Sequence, residues 1–109
     1  MKIHVAKFLK FWDYTIADFI PCWYPCCGVK ANEICHIDPK QKGGRASAEY
    51  EENYIPLCRT HHSLSEGNNE QKKILWDVLI KKILQRFPNH KWSDYFKLTW
   101  YYKNHIESK

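Results

Sequence analysis

Between Cys22 and Glu66 the chain concentrates residues that handle metals and phosphates: Cys22, Cys26, Cys27, Cys35 and Cys58, with His36, His61 and His62 among them. Thiolates and imidazoles at short spacing can clamp a zinc ion tetrahedrally. Cys58 and His61 are separated by Arg59 and Thr60 at an expected strand-to-helix junction, so both side chains can converge on one ion. An upstream pair must complete the set. Cys27 is the favoured member because the adjoining Gly28 permits the tight turn that aims a thiolate inward. The fourth ligand is Cys22 or Cys26. Adjacent Cys26 and Cys27 do not readily chelate one ion together, so Cys22 with Cys27 is the preferred pair and Cys22 with Cys26 the alternative. Cysteines are also often plain buried thiols, but candidates in two local pairs speak for a metal.

A second group lies in the same stretch. Hydrolysis of a phosphodiester needs an activated water, a Lewis acid on the phosphate and leaving oxygen, and a residue that orients the base. His36 is a candidate base, since imidazoles titrate near neutral pH. Asn53, opening an expected second strand, can fix the loop or hold the imidazole so that its free nitrogen points at water. His62 follows His61 directly, so about 100° of helical rotation separates them and each can serve a different ion. Glu66 lies four positions beyond His62, on the same helical face, and can offer an oxygen ligand.

Two segments carry these residues in a recognisable order: Cys35-His36-Ile37, and Asn53-Tyr54-Ile55-Pro56-Leu57-Cys58-Arg59-Thr60-His61-His62. They resemble, over about forty residues, the "HHI" step and the "N-L-x-P-L-C-x-x-C-H" run of the HNH family of ββα-metal endonucleases. The Pro-Cys opening, Gly-rich loop and "LCxxHH" ending look most like phage-encoded HNH proteins of the recombination-enhancing, Ref-like group. The resemblance implies His36 as general base, Asn53 as the central Asn and His62 as a ligand of the catalytic divalent ion. It implies a zinc knuckle built from Cys27, Cys58, His61 and one upstream Cys, and a ββα helix that enters the minor groove of DNA. Cys35 stands where the family carries His or Asp as a metal ligand. Magnesium prefers oxygen donors, so a thiolate there favours a softer ion over Mg²⁺ or Mn²⁺. Glu66 stands in place of the family's last His and suits either.

These groups need elements to hold them. Residues 3–20 place Val5, Phe8, Leu9, Trp12, Ile16, Phe19 and Ile20 at steps of three and four, the pattern of a helix with one buried face. Pro21 and Pro25 end it and open a cysteine-bearing turn. Residues 33–37 and 53–57 read as short strands. Between them, residues 39–48 form a polar, basic loop in which Lys40, Lys42 and Arg45 are candidate contacts to a nucleic-acid backbone. Residues 58–66 read as the first turns of a helix broken by Gly67. Residues 70–87 form the clearest helix, with Ile74, Leu75, Val78, Leu79, Ile83, Leu84 and Phe87 on its apolar face and Pro88 as its stop. The tail, with Trp92, Tyr95, Phe96, Trp100 and Tyr102, is expected to be helical. Its rings serve as core or as a platform for stacked bases.

The whole chain of 109 residues fits a single α+β domain: an N-terminal helix over residues 1–20, a zinc-braced ββα core over 22–67 and C-terminal helices over 70–106. A formal net charge of +5 favours a polyanion such as DNA as partner. The odd count of five cysteines and the absence of a secretory h-region point to a reducing cytoplasm rather than a disulfide framework. No apolar run is long enough for a bilayer. Vicinal Cys26-Cys27 lacks the Cys-x-x-Cys spacing of redox motifs. The expectation is therefore a metal-dependent DNA endonuclease of low sequence specificity. The competing reading is a catalytically weak or inactive zinc-stapled module that binds DNA or inhibits a host protein.

Overall fold

A computed structural model of the chain describes residues 2–38 and 49–107. The basic loop residues Lys40, Lys42 and Arg45 lie outside the described residues. Helix α1 runs over Ile3–Trp12 and buries Phe8 and Trp12. It stops earlier than the apolar spacing predicts because Asp13 adopts a left-handed conformation, φ 59°, and donates its N–H to the carbonyls of Leu9 and Lys10. Thr15 and Asp18 then close a turn, with the Thr15 N–H donating to Asp18 Oδ2 at 2.7 Å. Ile16 and Phe19, expected on the buried face, are 81% and 63% exposed.

The segment 21–30 doubles back on itself. Pro21 and Lys30 form an antiparallel bridge, and the Cys22 N–H donates to the Val29 carbonyl at 2.6 Å. Cys26 and Gly28, with φ 65° and 73°, supply the left-handed residues that the reversal requires. Strand β1, Glu33–His36, pairs antiparallel with β2, Tyr54–Leu57, so that Glu33 faces Leu57 and His36 faces Tyr54. A 3₁₀ turn over Glu51–Asn53 leads into β2. The knuckle is sewn to this sheet by the Trp23 N–H, which donates to the Pro56 carbonyl at 3.0 Å, and by the Asn32 N–H, which donates to Leu57 at 2.9 Å.

Helix α2, Arg59–Ser65, starts directly after β2 with Cys58 as its N-cap residue. Gly67, φ 67°, turns the chain, and Asn68 caps helix α3, Asn69–Arg86, by accepting from the Gln71 N–H. The buried stripe of α3 is Leu75, Trp76, Leu79, Ile80 and Ile83. It is rotated from the expected face: Trp76 and Ile80 are inside, while Leu84 is 40% exposed. Beyond α3 the tail forms only short pieces, α4 over Asp94–Lys97, α5 over Trp100–Tyr102 and a π turn over Lys103–Glu107. Its rings are core: Phe96 and Tyr101 are buried, the latter 5.3 Å from the Trp76 ring.

The described residues thus form an α+β fold of five α-helices and one two-stranded antiparallel sheet. A Cα radius of gyration of 13.2 Å matches the about 13 Å of a compact 100-residue chain, so the tail folds back on the rest. No described helix is long and apolar enough to cross a membrane.

One polar group is sealed inside this packing. Glu52 is 1% exposed, yet its carboxylate accepts from the Ser93 N–H at 2.8 Å and the Ser93 hydroxyl at 3.0 Å, and contacts His90 Nε2 at 3.0 Å. Its backbone carbonyl accepts from the Trp76 indole at 2.9 Å. Glu52 therefore ties the turn before β2 to α3 and to the start of α4. Hydrogen bonds to a charged group are worth roughly 1.5–3 kcal/mol each. Glu52→Gln is expected to lower unfolding free energy in a denaturant titration by about 2 kcal/mol; a change inside the error of the titration would show that the carboxylate bonds are dispensable.

Candidate metal centres

The first centre joins the knuckle to α2. Cys22, Cys27, Cys58 and His61 place one ligand atom each within 4.8 Å of all the others. Nδ1 of His61 lies 3.2 Å from Cys58 Sγ and 3.5 Å from Cys22 Sγ. Zinc bonds of about 2.3 Å to sulfur and about 2.0 Å to nitrogen put tetrahedral neighbours roughly 3.5–3.8 Å apart, so the cluster needs little adjustment to close on an ion. The exposed Cys26 stands outside the cluster. Its left-handed backbone turns the chain between Cys22 and Cys27, and it is Cys22 with Cys27, rather than Cys22 with Cys26, that the fold brings close to Cys58 and His61.

Supporting contacts fix the donors. The Tyr24 ring stacks on His61 at 4.0 Å with 2° between the planes, and the Tyr24 hydroxyl donates to Gln71 Oε1 at 2.8 Å. The imidazole is thereby held flat against a ring that α3 anchors. Asn32 Oδ1 accepts from the Arg59 N–H at 2.7 Å and so secures the start of α2. The Cys58 thiol is held below its ordinary pKa, chiefly because the His61 N–H at the helix start donates to it, against an opposing burial effect. Burial pushes the Cys22 thiol the other way.

The second group occupies a cleft of about 460 Å³ bounded by β1, α2 and the start of α1. His36 and His62, expected to work together, both line it. Glu33, Cys35 and His62 bring their ligand atoms within 4.8 Å of one another. Nδ1 of His62 is 2.6 Å from Glu33 Oε1, and its Nε2 is 3.5 Å from Glu66 Oε1. Glu33 is thus the acidic member of the cluster, and Glu66 approaches from the other edge of the ring. The buried Cys35 thiol is pushed up to about 12, first by burial and then by the Glu33 charge. Burial thus disfavours the thiolate, and a thiophilic ion at this position would favour it.

Asn53 is fully buried and serves the loop. Its Oδ1 accepts from the Asp38 N–H at 2.9 Å, its Nδ2 donates to the Asp38 carbonyl at 3.0 Å, and its own carbonyl accepts from Ile37 at 2.8 Å. It therefore sets the exit from β1 just beyond His36. The partner of the His36 ring is Glu49, whose Oε1 meets Nε2. His4 of α1 lies against the other side, ring centroids 4.5 Å apart. Burial, then the nearby His36, lowers the pKa of His4. The sequence reading assigned nothing to Glu33, Glu49 or His4. Glu33 had a usable signal, two positions from Cys35 on one strand face; His4 and Glu49 had none.

Comparisons with protein-family models, with curated proteins and with solved structures find no match to this chain. Apparent binding energies of structural zinc, about 10–16 kcal/mol, equal or exceed the about 5–15 kcal/mol by which domains are stable. Cys58→Ser, or a strong chelator, is therefore expected to unfold the chain, and Cys26→Ser to leave melting temperature and bound metal unchanged. Bound thiols must give up their protons, so metal content should fall as pH falls. Metal analysis and circular dichroism across a pH series check this; equal damage from Cys26→Ser and Cys58→Ser would refute the assignment.

Proposed function

We propose that the chain is a metal-dependent endonuclease of the HNH type that hydrolyses DNA phosphodiesters with low sequence specificity, braced by zinc at Cys22, Cys27, Cys58 and His61. The observation that carries this reading is the split of neighbouring imidazoles on α2: His61 belongs to the sulfur-rich cluster, and His62 to the cleft that also holds His36. The order β1, β2, α2, with α2 directly after β2, supports a ββα-metal core. The resemblance of the motifs to the Ref-like group supports a phage-encoded protein at work in the host cytoplasm, and the net charge of +5 supports DNA as its partner.

Glu33, Cys35 and His62 would hold a divalent ion, which would supply Lewis acidity to the phosphate and the departing oxygen. The chain's own groups do the rest. With the His36 Nε2–H donated to Glu49, Nδ1 carries the free lone pair and accepts the proton of the attacking water. Asn53 keeps the exit of β1 fixed, so that His36 does not swing from the cleft. Glu66 offers a further oxygen at the His62 edge. The sulfur of Cys35 favours zinc, cobalt or nickel over magnesium in this position.

One observation favours the second reading. A buried thiol in a position that wants a hard donor suits a zinc-stapled module that binds DNA, or a host protein, without turnover. Plasmid nicking with magnesium, manganese, cobalt, nickel and zinc separates the two. The endonuclease reading expects cleavage with at least one of the softer ions, lowered about 100-fold or more by His36→Ala in a protein that keeps its fold and its structural metal. Folded wild type that cleaves with none of the five ions ends it.

A further inference from the structure

Beside the cleft, three side chains from separate parts of the chain converge: His4 on α1, His36 at the end of β1, and Glu49 ahead of the 3₁₀ turn. One ligand atom from each lies within 4.8 Å of the other two, and all three residues are half-buried. Tyr54 packs against both imidazoles, its ring 5.6 Å from His36 and 6.1 Å from His4. That residue is 1% exposed, and among the described residues its hydroxyl has no hydrogen-bond partner. Buried hydroxyls are bonded in the great majority of cases. A three-donor set therefore sits against the ring of a residue whose buried hydroxyl lacks a partner among the described residues.

We propose that His4, His36 and Glu49 form a third cation site, which takes a divalent transition-metal ion whose coordination shell gives the Tyr54 hydroxyl its missing partner. Two imidazoles and one carboxylate select zinc, cobalt, nickel or ferrous iron over magnesium and calcium, which want oxygen donors. The site contains no sulfur and shares no residue with the Glu33, Cys35 and His62 cluster. Binding there does not depend on the nuclease reading, but one consequence does. An imidazole that carries a metal on one nitrogen keeps its single proton on the other, so it can no longer accept one. His36 would then serve either as a ligand or as a base, and a transition metal at this site would switch the base off.

The test uses the full-length chain carrying Cys35→Ser and His62→Ala, which empties the neighbouring cluster, purified with its structural zinc and titrated with cobalt(II). The expected signal is a visible d–d absorption without sulfur-to-cobalt charge transfer. It should vanish on adding His4→Ala or Glu49→Gln, and weaken in affinity by about tenfold or more on adding Tyr54→Phe. Circular dichroism and retained zinc report that each variant is folded. The proposal is overturned if the folded background gives no such band, or if the band survives His4→Ala. An unchanged affinity in Tyr54→Phe would remove the hydroxyl from the site. Nicking activity enters none of these readings, so failure of this proposal is distinguishable from failure of the endonuclease proposal.

Discussion

The convergence of Cys22, Cys27, Cys58 and His61 is the constraint on which the rest of this structure depends. The sheet has only two strands of four residues each, and an isolated hairpin of that size is at best marginally stable in water. Something must hold β2 and α2 against the segment before β1. The Trp23 and Asn32 bonds to the Pro56 and Leu57 carbonyls do part of it. Each is worth only about 1 kcal/mol net, whereas four donors closing on one ion contribute an order of magnitude more. A metal at the knuckle would also fix the axial position of α2 at its first turn, where Cys58 and His61 both sit.

Away from the knuckle, stability comes from a different source. Trp76, Phe96 and Tyr101 pack together with the buried stripe of α3, and Glu52 stitches the same region to the turn before β2. Burying a charge costs several kcal/mol unless its lone pairs are matched, and here Ser93 and His90 match them. The aromatic tail is thereby committed to the core. Phe96 and Tyr101 are therefore not free to stack bases, whereas Tyr95 is 42% exposed.

Legibility from sequence followed the range of the interactions. Cys58 with His61, and His62 with Glu66, were readable because helical spacing alone brings them together. The end of α2 and the strands were readable from Gly67 and from short apolar runs. The preference for Cys22 with Cys27 was readable from the poor bite of adjacent Cys26 and Cys27, and the fold gathers that pair, but the left-handed φ at Cys26 is one that no propensity assigns to cysteine. Helix α1 ended at Asp13 for the same kind of reason. On α3 the periodicity was correct but its phase was not, since Trp76 and Ile80 share the inner face only once the tail packs there. His4 and Glu49 reach His36 from positions far apart in the chain, and a lone residue of either type leaves no pattern to detect.

The adjacency of His61 and His62 couples the two centres in a way that neither has alone. Successive helical residues differ by about 100° and 1.5 Å of rise, so fixing the direction of His61 fixes that of His62. The Tyr24 stack and its bond to Gln71 remove the remaining freedom of the His61 ring. Glu33 then meets His62 from β1, and β1 is itself registered against β2, which runs directly into α2. The chain of constraints is therefore closed: knuckle to α2, α2 to His62, His62 to β1, and β1 through β2 back to α2. The groups that face the cleft are thus positioned from behind, by packing and register rather than by anything that enters it.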